Sequence, residues 1–166
     1  YKTKPSYVEF DGHPPITSED TFSRSKREIF NVQIARTIQR HMETQKRLLN
    51  RNIKVLTLFF IDRVANYIND DGLIKTLFDE NLLRFKSRYD FFSRWEPEQV
   101  REGYFARSKP KKENEAGEAI DTTSRTVAER EAEKEAFELI MRDKERLLSF
   151  DEPVSFVFAH SALKEG

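Results

Sequence analysis

The sequence predicts an α/β domain, a parallel β-sheet flanked by helices and incomplete at both ends. Residues 53–61 and 154–159 are nearly continuous apolar runs of strand length, rich in branched and aromatic side chains. Parallel strands buried on both faces have this composition. Segments of helical periodicity precede and separate them, giving the order helix, strand, helix, insertion, helix, strand. The chain opens on Tyr1 and stops shortly after its second apolar run. That marks it as an expected piece of something larger.

Residues 1–22 hold Pro5, Gly12, His13, Pro14 and Pro15 with little periodicity. They predict an irregular connecting segment, with a short strand ending in a turn at residues 7–12. An amphipathic helix is predicted over residues 23–50. Ser23 or Ser25 caps it, and Glu28 stands at capping-box distance from Ser25. Phe30, Ile34, Ile38 and Met42 form its apolar stripe, widened by Ile29 and Ala35, while Arg36, Gln39, Arg40 and Glu43 occupy the opposite face.

The run 53–61 follows as a central strand, with Asp62 and Arg63 at its exit and a turn at 64–67. Residues 72–93 predict a helix, because Ile74, Leu77, Phe78, Leu82, Phe85, Tyr89 and Phe92 keep steps of three and four. Pro97 ends it. Val100, Tyr104 and Phe105 mark a further strand or helical turn. Residues 106–125 are hydrophilic and predict a flexible insertion. A last helix, 126–149, turns Ala132, Ala136, Leu139, Ile140, Leu147 and Leu148 inward. Acidic residues in its first turns and basic ones near its end suit the helix dipole. Right-handed crossovers then bring the strand ends at Asp62 and His160 to one carboxyl edge.

Composition narrows the function classes. The 166 residues carry 29 basic and 29 acidic side chains, so net charge favours no class of partner. With no cysteine, disulfides, thiolate metal sites and cysteine nucleophiles are excluded. No apolar run approaches the roughly 18 residues of a membrane span. A cytoplasmic protein is expected. The five glycines form no GxxxxGK[ST] or GxGxxG motif, so this chain alone completes no nucleotide site.

The three histidines lie far apart, in no metal-binding spacing, and no metal site is expected. His41 is assigned to the solvent side of its helix and His13 to a turn. His160 directly follows a buried strand. It reads either as a loop histidine bonded to nearby backbone or as a ligand contact at the sheet edge, and Ser161 shares that ambiguity. Nothing nearby completes a Ser-His-acid triad. Asp62 reads as a turn or capping residue. The 14 phenylalanines fall mostly at core spacing. Arg107, Lys109, Lys111 and Lys112 form a basic cluster, either a solvated loop or a set of DNA-backbone contacts. An enzyme domain and an α/β binding module both remain open.

Three segments narrow this further: residues 56–67 (LTLFFIDRVANY), 138–153 (ELIMRDKERLLSFDEP) and 156–166 (FVFAHSALKEG). Their order and spacing resemble the restriction (Res) subunit of type III restriction-modification enzymes, a superfamily 2 helicase-like ATPase with a separate nuclease domain. The helix around residues 33–38 (QIARTI) resembles the family's segment before its second motor domain. The resemblance covers about residues 24–166 outside the insertion.

The resemblance implies a partial RecA-like fold, of the P-loop NTPase type. Residues 23–50 would lead into the second motor domain, and 51–166 would be its N-terminal part. The first strand would be motif IV and the last motif V. His160 and Ser161 would then lie near DNA phosphates, and Gly166 near the nucleotide. The implied cofactors are ATP and Mg2+. The implied partners are double-stranded DNA and the modification methyltransferase (Mod) subunit, with no membrane. Catalytic residues would lie outside this chain, in the upstream phosphate-binding loop and the downstream arginine motif and nuclease domain. Two alternatives stand beside this: a superfamily 2 translocase without nuclease, and a non-catalytic α/β interaction domain. A downstream nuclease motif supports the first reading; upstream sequence without a phosphate-binding loop favours the last.

Overall fold

The computed structural model describes residues 7–8, 16–109, 117–122 and 126–160, with side chains from residue 26 onward. Two short strands, β1 (Tyr7–Val8) and β2 (Ile16–Thr17), pair antiparallel. The predicted strand at 7–12 is therefore described only at its start. The second strand, hidden among prolines, had no apolar run to mark it.

Helix α1 (Ser18–Leu49) begins earlier than predicted and runs unbroken through Ser23 and Ser25, so neither serine starts it. Ile34, Ile38 and Met42 are buried as the stripe requires. Ile29 is exposed, because five residues before Ile34 it lies well round the helix from the stripe that faces the sheet and α3 (Leu73–Lys86). Asn52 ends the helix region with a φ of 53°, a left-handed conformation that asparagine tolerates. The amides of Arg51, Asn52 and Ile53 satisfy the last carbonyls of α1.

The sheet holds three parallel strands in the order β3 (Thr57–Ile61), β5 (Phe156–His160), β4 (Arg101–Tyr104). β5 is central, and all five of its residues are buried. β3 departs from the sequence reading. It is an edge strand, and Leu58 and Phe60 are 45% and 46% exposed. Its apolar run is that of a doubly covered strand, but no described element covers its second face.

One sheet face packs on α1 and α3. There Phe59 stacks on Phe158 with centroids 4.8 Å apart, and Phe78 meets Phe156 and Phe158 edge-on at 5.0 and 5.3 Å. Such aromatic pairs add to the hydrophobic effect of burying the rings. The predicted helix 72–93 is two helices, α3 and the short α4 (Asp90–Ser93), parted at residues 87–89. A turn of helix, α2 (Ala65–Ile68), stands where a turn was expected. Another, α5 (Pro97–Val100), starts at the predicted breaker, since proline suits a first helical position.

The other face carries α6 (Val127–Leu148), capped by Thr126, whose hydroxyl accepts from the Glu129 amide at 3.1 Å. Ala136 and Leu147 are buried beneath it; Leu147 packs with Tyr104, Val154 and Val157. Leu139 and Leu148, expected inward, are exposed, because α6 lays only a narrow stripe on the sheet.

Candidate functional site

The parallel register pairs Ile61 with His160 and Tyr104 with Ala159, so all three strands end at one edge. This is the carboxyl edge predicted from the crossovers, and in open α/β sheets ligands bind there.

His160 closes β5 and is 6% exposed. Its Nε2 lies 3.3 Å from the Asp62 carbonyl oxygen, and its Nδ1 lies 3.3 Å from the Thr122 hydroxyl. The Asp121 carboxylate is 3.7 Å from Nε2. The ring thus joins the end of β5, the exit of β3 and the far limb of the insertion.

Asp62 faces outward, 2.8 Å from the Lys26 ammonium and 3.0 Å from the Asn66 amide nitrogen, which donates to it. Burial pushes its pKa up, but the hydrogen bond and charge of Lys26 and the amide of Asn66 outweigh this and hold it below the usual carboxylate range. Asp62 therefore ties α1 to the turn after β3, close to the turn role expected of it. Asp121 accepts the Val64 amide at 2.5 Å. Both carboxylates of the edge are engaged in holding backbone and helix in place.

The insertion is built in part on this edge. Residues 106–108 and 118–120 form a short antiparallel ladder: the Ser108 amide donates to Glu118, the Ile120 amide to Ala106, and Arg107 bridges Ala119. The Arg107 guanidinium donates to the Gly117 carbonyl at 2.9 Å. A Cβ on Gly117 would stand 1.7 Å from the Ser108 carbonyl oxygen, so only glycine fits the close crossing. Residues 106–108 and 118–120 thus form a paired hairpin base within the segment 106–125. Arg107 and Lys109 are exposed on its first limb, which leaves the end of β4 at the same edge. Lys111, Lys112, Ser161, Gly166 and His13 lie outside the described residues.

Asp121 and Thr122 had no marker in the sequence beyond Ile120, one branched apolar residue in a polar stretch. His41 is a plain correction: it is 3% exposed, not solvent-facing. Its Nδ1 meets the Thr57 hydroxyl at 2.8 Å and its ring packs on Phe92 and Phe156.

Along the free side of β3, a groove of about 500 Å³ runs between Phe30, Gln33 and Thr37 of α1, Phe60 of the strand and Asp62 just after it. No three His, Cys, Asp or Glu side chains converge as a metal cage among the described residues, and no helix among them is long and apolar enough to cross a membrane.

The chain is 30% identical over 148 residues to the Res subunit of the type III restriction-modification enzyme EcoP15I of Escherichia coli, covering 79% of this chain and 14% of that subunit. The Res subunit of EcoPI of Escherichia phage P1 aligns with the same identity and coverage. The chain therefore spans 14% of the length of the curated relatives it matches. No family model matches it, and no solved structure matches it significantly. The likeness supports a distant relationship to Res subunits, the family whose resemblance three segments of the sequence carry.

Proposed function

We propose that this chain is part of the second RecA-like motor domain of a type III restriction endonuclease subunit. In that reading the whole protein hydrolyses ATP with Mg2+, moves along double-stranded DNA, works with a Mod subunit and cleaves DNA. The observation that carries the reading is the alignment to two Res subunits over 148 residues. Three parallel strands ending at one edge support it, because that is where a motor domain contacts its ligands.

Among the described residues no three His, Cys, Asp or Glu side chains converge on a metal, the sequence carries no phosphate-binding glycine motif, and no step through ATP or Mg2+ is derived from them. Their work is positioning. The backbone at His160 and the backbone and hydroxyl of Ser161 meet the DNA phosphates, contacts that fix register without reading bases. Gly166 lies toward the nucleotide. Arg107, Lys109, Lys111 and Lys112 add phosphate contacts from the insertion, with a salt-dependent contribution.

The test is DNA-stimulated ATP turnover by the full-length protein. Stimulation by linear double-stranded DNA, reduced in His160→Ala/Ser161→Ala while the fold persists, supports the reading. An unchanged stimulated rate in the double variant counts against contact at those residues. The isolated 166-residue chain is expected to turn over no ATP. Measurable turnover by it would place a nucleotide site where none is proposed.

A further inference from the structure

We infer that the insertion's second limb, residues 117–122, is a positioning element for the DNA-facing sheet edge, with Thr122 and Asp121 holding the end of β5 and the exit of β3 in place. This rests on the reading of that edge as the DNA contact.

The geometry exceeds what an insertion needs to close on itself. The ladder between 106–108 and 118–120 already joins the two limbs. The chain nevertheless continues inward, and Thr122 becomes 4% exposed with its hydroxyl on His160 Nδ1. A buried hydroxyl is costly unless it is paired, so this contact specifies the position of the limb. Asp121 adds a second hold. One carboxylate oxygen accepts from the Val64 amide and lies 3.7 Å from His160 Nε2. The Asp62 carbonyl lies 3.3 Å from that same nitrogen.

Two strand ends and one limb therefore converge on a single imidazole. His160 is buried, and both its ring nitrogens face oxygens of the protein. Its side chain is thus a positioning group for the end of β5. The first limb carries Arg107 and Lys109 into solvent. A phosphate held there is linked, through the ladder, to Thr122 and so to the end of β5. The insertion and the motif V edge act as one unit in binding DNA.

The experiment uses the full-length protein and linear double-stranded DNA. It compares wild type, Thr122→Val, Thr122→Ser and Asp121→Ala. The readouts are the DNA concentration for half-maximal ATPase stimulation and the maximal stimulated rate. Thr122→Val is expected to raise the half-saturating concentration about three- to ten-fold, the scale of one buried hydrogen bond. Thr122→Ser, which keeps the hydroxyl, restores it. Asp121→Ala raises it in the same way, and the maximal rate moves less than the half-saturating concentration in each variant. Asp121 is half exposed, so its variant carries the test if Thr122→Val does not fold. Wild-type half-saturation in both Thr122→Val and Asp121→Ala overturns the inference and leaves the reading of the edge intact. No DNA stimulation of the wild type overturns that reading, and the inference with it.

Discussion

The imidazole of His41 lies over the ring of Phe156, their centroids 4.2 Å apart, and so seals α1 against the central strand. Its Nδ1 is paired with Thr57, while Nε2 is buried without a hydrogen-bond partner. Burial first, and the nearby Lys54 ammonium second, push its pKa down to about 3. In the unfolded chain a histidine titrates near 6.5. Between these values the unfolded state binds more protons, so stability falls as pH falls.

The full contribution of neutral His41 is present above about pH 6.5 and declines toward about pH 3. At pH 5 the loss relative to pH 7 is about 2 kcal/mol. Urea unfolding of wild type and His41→Leu at both pH values checks this. The stability gap between them should narrow as pH falls. A gap independent of pH would mean that His41 does not stay neutral in the fold.

Phe158 and Phe60 separate the two faces of the sheet. Phe158 is fully buried, its ring centroid 4.5 Å from that of Tyr67 and 4.8 Å from that of Phe59. Phe158→Ala is expected to cost about 3–5 kcal/mol through lost transfer and a residual cavity. Phe60 is 46% exposed, and Phe60→Ala should cost less than about 1 kcal/mol. Denaturant midpoints of the two variants decide. Equal losses would mean that β3 is covered on its second face.

The same pair explains what the sequence could and could not reveal. An apolar run marks a strand, and both long strands were legible from it. The run does not say which strand is central, because that depends on strand order, and order is set by crossovers far apart in the chain. His41, assigned to the solvent side of its helix, lies on the buried side. Its spacing of three from Ile38 and seven from Ile34 puts it on the buried stripe, as does the burial of Gln45 four residues later. At the site, the common edge of Asp62 and His160 followed from topology. Thr122 and Asp121 did not, because a polar residue pairs through tertiary geometry that has no periodic signature.

Arg101 fixes the start of β4 to α3. Its Nε and Nη2 donate to the two Asp79 carboxylate oxygens at 2.8 and 3.0 Å, and its guanidinium lies 5.3 Å from the centroid of the Tyr67 ring. A lysine reproduces neither the fork nor the stacking. Arg101→Lys is therefore expected to lose most of what Arg101→Ala loses. A double-mutant cycle with Asp79→Ala should give a coupling of about 1–2 kcal/mol, above that of an exposed pair. Full stability in Arg101→Lys would reduce the pair to a simple charge contact.

Arg107 and Lys109 provide the most direct measure of the proposed nucleic-acid edge. Both are exposed on the paired base of the insertion, beside the strand ends. If each neutralises a phosphate, each releases condensed counterions on binding. In the full-length protein, Arg107→Ala and Lys109→Ala should each weaken binding to double-stranded DNA of any sequence. Each should also lower the slope of log affinity against log salt by about one. The hydrogen bond from Arg107 to Gly117 gives that residue a second duty, so Arg107→Ala should also loosen the hairpin base. Lys109→Ala isolates the electrostatic part. Fluorescence anisotropy across a salt series measures both slopes. An unchanged slope in Lys109→Ala would remove that limb from the DNA interface.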